Sequence, residues 1–238
     1  MKNLINSNFL KIIGLFFGLS FLSTNCNSQI YDWFKIYADE EGAPARFDHF
    51  SLNVFYNGWN HSISEIETKP LSIGFEIGLF KEIPLDKKGK ISYAYGLTYS
   101  LNVIHHNAKF NTVSNSKDKF YMEISKETEE YKTNKFNTSF LEIPLEIRFR
   151  KIANPKIRFY PGFKAGLLLN MHTTRIDSES KIKTYHQKNR MRYRFGPTLK
   201  IGVGKINFYG FYSLTPLFEK GKGDEIHPFS LGISFFAL

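Results

Sequence analysis

"SFLEIPLEIRFR", Ser139 to Arg150, alternates without a slip. Leu141, Ile143, Leu145, Ile147 and Phe149 fall on one face of an extended chain, and Glu142, Pro144, Glu146 and Arg148 on the other. Successive strand side chains point to opposite sides, so the stretch predicts a two-faced strand. In a soluble sheet the apolar face meets a protein core and the charged face meets water. In a membrane barrel the apolar face meets lipid and the charges point into the lumen. The rest of the chain decides between these.

The period-2 pattern returns from Arg46 onward. It predicts strands over His49–Asn57, Leu71–Phe80, Ile91–Ile104, Ser139–Arg150, Ile157–Met171, Met191–Val203, Ile206–Leu214 and Phe229–Ala237. A tilted membrane strand needs about 9 to 11 residues, whereas soluble strands average about 5 to 6. The predicted lengths favour the membrane. The facing of Ile206–Leu214 is ambiguous, because both of its faces carry aromatics.

The connections alternate in length. Gly58–Pro70, His105–Lys135, His172–Arg190 and the stretch "PLFEKGKGDEIH" after Leu214 are the longer ones; "KEIPLDKKGK", "KIANPK" and "GK" intervene. Outer-membrane barrels keep long loops outside and short turns in the periplasm. The expectation is therefore an all-β, eight-stranded, antiparallel, up-and-down transmembrane barrel in the cell outer membrane. A soluble lipocalin-like barrel is the alternative, and it wants the opposite polarity on its two faces.

On this reading Glu76, Glu142 and Glu146 face inward with Arg148, Arg158, Lys164, Arg192, Arg194 and Lys200. An eight-stranded barrel is just wide enough for side chains to fill its interior. Buried charges need partners. These nine residues are therefore expected to form an ionic network across the lumen. Ser92, Ala94, Gly96, Thr98, Ser100 and Asn102 supply a small-residue wall opposite them.

Composition agrees with a membrane barrel. Aromatics make up 16% of the 238 residues, with 24 Phe and 13 Tyr, suiting strands and interface girdles. Mean hydropathy is slightly negative. The only long apolar run, "IIGLFFGLSFL" (Ile12–Leu22), is too short to span a bilayer as a helix. It follows Lys2 and Lys11 and precedes "STNCNSQ", which predicts a signal peptide over 1–28. A periplasmic segment over 29–45 and a barrel over 46–238 follow. "LSTNC" offers an alternative lipoprotein site at Cys26, but Asn25 is a poor residue before an acylated cysteine. Cleavage after Ser28 leaves no cysteine, and so no disulfide. It also lowers the formal charge of +10 by two. In an exported chain the counter-charges expected are lipid headgroups or lipopolysaccharide phosphates, not nucleic acid.

No residue group points firmly to catalysis, a metal or a cofactor. His105 and His106 are adjacent, and neighbours on a strand point apart. His49 and Ser51 share a face, but a hydrolase also needs an orienting carboxylate and an oxyanion hole, and Asp48 faces the other way. "KETEEYK" (Lys126–Lys132) mixes carboxylates with lysines and reads as a solvated loop rather than a calcium site. "KIKTYHQKNRMR" (Lys181–Arg192) reads equally as a lipopolysaccharide contact or a solvated loop. Trp33, Phe34 and Tyr37 lie in the segment before the first strand, as a rim element or a partner contact.

Three features carry a family resemblance: Gln29 directly after the predicted cleavage site; "FLEIPLEIRFR" followed by a short turn and "FYPGFKAGLLLN"; and the ending "YGFYSLTPLFEKGKGDEIHPFSLGISFFAL". Together they make Phe47 to Leu238 resemble the PorT-like outer-membrane barrels of the Bacteroidota. Leu238 departs from the aromatic last residue usual in such barrels. The resemblance implies an eight-stranded outer-membrane barrel with no enzymatic residues to carry over, and the chain is expected to be a monomeric, non-enzymatic barrel. It also implies a partner in type IX secretion, where the family's namesake acts, or elsewhere in the envelope. A small passive pore and a lipid-modifying barrel enzyme are the alternatives.

Overall fold

The computed structural model describes residues 50–61, 66–114, 120–126, 131–151, 157–177, 180–185 and 189–237. The predicted signal peptide over 1–28, the predicted periplasmic segment over 29–45 and His49 lie outside them. Eleven strands and no helix occur among the described residues: β1 (Phe50–His61), β2 (Ile73–Pro84), β3 (Ile91–His105), β4 (Ala108–Ser114), β5 (Phe120–Lys126), β6 (Thr133–Arg150), β7 (Ile157–Ile176), β8 (Lys181–Tyr185), β9 (Tyr193–Val203), β10 (Ile206–Tyr212) and β11 (Ile226–Ala237).

Eight of these close a ring. The order runs β6–β3–β2–β1–β11–β10–β9–β7, and β7 pairs back onto β6. Every neighbouring pair is antiparallel. Closure leaves no unpaired edge around the ring, the condition for crossing hydrocarbon with strands. All eight expected strands are present, several of them longer than their periodicity suggested.

The polarity of the wall is inside out. On β2, Ile73, Phe75, Ile77 and Leu79 are exposed while Gly74, Glu76, Gly78 and Phe80 are buried. On β6, Leu141, Ile143, Leu145, Ile147 and Phe149 are exposed and Glu142, Glu146 and Arg148 buried. The outward rows of β3, β7, β9, β10 and β11 are exposed Leu, Ile, Val, Phe and Tyr as well. Such a surface suits lipid and not water. The alternation also settles β10, where Asn207, Tyr209 and Phe211 point inward and Ile206 and Phe208 outward.

The short turns follow local chemistry. Gly204 adopts φ 65° between β9 and β10, the left-handed first central position of a type II′ hairpin. In the β2–β3 turn the Asp86 carboxylate accepts the Ile91 N–H at 2.8 Å and the Lys88 N–H at 3.3 Å. Gly89 (φ 63°) completes that bend.

The long connections, which the periodicity predicts as loops, hold further strands. Within 105–135, β4 and β5 pair from Ala108↔Lys126 to Ser114↔Phe120. Within 172–190, β8 pairs with the far end of β7 from His172↔Tyr185 to Ile176↔Lys181. Both are short ribbons whose pairing lies outside the eight-strand ring, and an alternation of five to seven residues amid polar neighbours is a weak signal.

One irregularity redirects a core residue. The β6–β7 register shifts between Ser139 and Phe140, where Leu168 and Asn170 of β7 face consecutive β6 residues and Leu169 is extra. A bulge of this kind reverses which parity points inward. Met171 shares odd numbering with outward Leu167, yet it is 1% exposed within the interior.

Candidate functional site: the barrel lumen

The lumen contains two tiers of alternating charge. In the first, Lys164 Nζ on β7 lies 2.5 Å from Glu76 Oε2 on β2 and 3.0 Å from Glu142 Oε2 on β6. Arg194 Nε on β9 reaches Glu142 Oε1 at 2.8 Å, and its Nη2 donates to Ser100 Oγ at 2.9 Å. Asn53 Nδ2 donates to Glu76 Oε1 at 2.7 Å, and Tyr209 OH lies 3.0 Å from Lys164 Nζ.

The second tier lies nearer the chain termini. Lys200 Nζ meets Glu146 Oε1 at 2.8 Å, Arg148 Nε meets Glu146 Oε2 at 2.8 Å, and Arg148 Nη1 meets Glu82 Oε2 at 2.6 Å. Arg150 Nη2 also donates to Glu82 at 2.6 Å, and its Nε donates to Tyr160 OH at 2.6 Å. Each carboxylate thus accepts from two or more donors. That satisfaction makes burial of the charges tolerable.

Aromatic rings fill the space between these charges. The Arg148 guanidinium sits 4.8 Å from the Phe80 ring centroid, 5.1 Å from Tyr160 and 5.4 Å from Phe236. Lys164 Nζ is 4.2 Å from the Phe211 centroid, and the Arg194 guanidinium 3.7 Å from that of Phe140. Cations stacked on ring faces gain from the ring quadrupole while the rings exclude water. Arg148, Phe80, Tyr160, Tyr209 and Glu142 are each at most 1% exposed. A water-filled channel through this level would expose them.

Toward the long connections the interior changes character. Trp59, Ile66, Ile104, Ala108, Phe136, Met171, Leu217, Phe218 and Ile226 form an apolar cluster, with Phe110 and Leu168 packed on it. His106 is buried among these rings, 5.1 Å from Trp59 and 5.5 Å from Phe110, and its Nδ1 accepts the Ala108 N–H at 3.0 Å. The expected ionic lumen therefore describes the part nearer the short turns, and the part toward the long connections is an apolar core.

Of the nine network residues expected from the sequence, Glu76, Glu142, Glu146, Arg148, Lys164, Arg194 and Lys200 meet in these two tiers. Arg158 instead stacks 5.6 Å from the Phe236 ring centroid. Arg192 is a correction: its carbonyl still accepts the Leu168 N–H of β7 at 2.8 Å, but it precedes β9 and its side chain is exposed rather than in the lumen. Glu82 and Arg150 were missed. The inward row Glu76, Gly78, Phe80 continues to Glu82, one repeat of the pleat beyond where β2 was expected to end. Ser51 is buried on the inner wall.

A closed wall that shows lipid its apolar face and keeps its charges inside defines an outer-membrane β-barrel. The chain belongs to the outer membrane protein beta-barrel domain family, whose pattern matches residues 13–219. It resides in the outer membrane. Among solved structures it is similar to Ail, the attachment invasion locus protein of Yersinia pestis. That match has 11% identity and a TM-score of 0.38, covering 79% of this chain and 97% of that one. No curated protein matches the chain significantly.

Proposed function

We propose that this chain is a non-enzymatic, sealed barrel that serves as a structural or accessory component of the envelope. In its sharper form, it assists type IX protein secretion. The sealed interior carries the first part. Charges paired with one another and packed between rings obstruct an aqueous path for a pore, and small eight-stranded barrels have little lumen to spare. Burial of Ser51 inside the wall argues against its use as a nucleophile on lipid. The working surfaces are then the parts beyond the lipid belt: the β4–β5 hairpin and the ribbon that β8 adds to β7. The PorT-like features of strand β6, of the stretch that follows it and of the C-terminal ending support the secretion role.

Comparing the secreted and periplasmic proteomes of a deletion strain with its parent tests that role. Cargo stranded in the periplasm is the expected result. An unchanged secretome discards type IX secretion and leaves the envelope-structural reading.

A further inference from the structure

The short-turn end of the barrel carries a crown of exposed lysines. Lys87, Lys88 and Lys90 occupy the β2–β3 turn, Lys151 follows β6, and Lys205 sits in the β9–β10 turn. All three short turns are thus lysine-bearing. Among their described residues Asp86 is the only acid, and its carboxylate is engaged by the Ile91 and Lys88 N–H groups.

The crown begins where the lipid belt stops. Lys90 directly precedes Ile91, Lys151 lies two residues after Phe149, and Lys205 stands between Val203 and Ile206. Those four apolar neighbours, Ile91, Phe149, Val203 and Ile206, are outward-facing and exposed. Tyr93 and Tyr95, with ring centroids 5.9 Å apart, follow on β3. Lysines at this border stand at headgroup depth, where a lysine stem can lie along apolar surface while its ammonium group reaches a phosphate.

We propose that this crown binds the phosphate headgroups of anionic phospholipids in the periplasmic leaflet, such as phosphatidylglycerol. Charge complementarity and continuity with the lipid belt select a lipid over an acidic protein. The short turns select the leaflet, since outer-membrane barrels keep them in the periplasm. Each lysine near an anionic surface contributes about a fivefold preference. The proposal rests on the barrel's place in the outer membrane and not on a secretion role, so failure of either leaves the other standing.

The test reconstitutes the full chain into vesicles of phosphatidylethanolamine with a minor share of phosphatidylglycerol. The protein is then extracted in nanodiscs and its co-purifying lipids are counted by mass spectrometry. Phosphatidylglycerol enriched about tenfold over its bulk share is expected. A K87Q/K88Q/K90Q/K151Q/K205Q variant loses that enrichment, and the matching five-arginine variant keeps it. Heat-modifiable gel migration checks that both variants fold. No enrichment, or enrichment undiminished in the glutamine variant, overturns the proposal. So does stronger enrichment of lipid A when it replaces phosphatidylglycerol, because the phosphates recognised would then be those of the other leaflet. Loss of the enrichment on adding an acidic periplasmic protein would assign the crown to a protein partner and also overturn it.

Discussion

Lys164 and Glu76 stand on strands separated by β3 and β6, yet their ammonium and carboxylate lie 2.5 Å apart. The contact bridges the lumen, so the interior is closed at this level by side chains alone. Planar-bilayer recordings of the purified barrel should therefore show no steady single-channel steps. Reproducible conductance from the unmodified protein would restore the pore.

Glu142 joins Lys164 and Arg194 and is fully buried. Glu142→Ala leaves both cations short of a partner in a buried interior. Breaking a buried pair in this way costs about 3–5 kcal/mol. Glu225→Ala, at an exposed pair with His227, should change stability by no more than about 1 kcal/mol. Urea unfolding of the refolded barrel in micelles measures both, and equal effects would contradict the ionic account of the lumen.

Leu145 faces outward in the middle of the exposed β6 row. An arginine there must enter hydrocarbon, so Leu145→Arg should cost about 2–4 kcal/mol in lipid vesicles. Thr133→Arg, beyond the belt on the same strand, should cost about 0–1 kcal/mol. Equal tolerance at the two positions would mean that the apolar rows do not face lipid.

Gly196 is packed against the next strand's backbone. A Cβ added there would lie 1.8 Å from the Tyr212 carbonyl oxygen. Gly196→Ala must push the β9 and β10 backbones apart, an overpacking cost of about 1–3 kcal/mol. Gly210 offers the contrast, since its nearest new contact would be Leu231 at 3.7 Å, an ordinary distance. Gly210→Ala should therefore leave thermal stability nearly unchanged.

Asp86 supplies a pH dependence outside the membrane. The Ile91 N–H lowers its pKa most, helped by backbone donors at Lys88 and Lys90 and by the Lys90 charge, with burial opposing. A carboxyl with a depressed folded pKa contributes stability above its unfolded value, and that contribution is lost as pH falls through the folded one. The difference in stability between the parent and Asp86→Asn should therefore be constant at neutral pH and shrink in acid. A difference that grows toward acid would have the wrong sign.

The sequence by itself determined the ring. Strict alternation in "FLEIPLEIRFR" and its seven companions, with long and short connections in turn, specifies two-faced strands and their antiparallel order. Both are local properties of the chain. Most of the lumen charges were legible for the same reason, since parity alone assigns Glu76, Glu142, Glu146, Arg148, Lys164, Arg194 and Lys200 to one face.

What parity does not contain is where a strand ends and which residues meet across the lumen. Glu82 joined the network because β2 runs on past Phe80, Arg150 reaches the same carboxylate from the last position of β6, and the exposed Arg192 lies outside it because β9 starts only at Tyr193. The bulge at Leu169 turned Met171 from the lipid side to the core, a change that a period of two cannot express. The apolar cluster of Trp59, Phe136 and Phe218 draws on distant strands and a loop. Its members meet only after the ring closes with its particular stagger. Local alternation set each strand's two faces, and the tertiary register alone decided which charges and rings meet across the enclosed space.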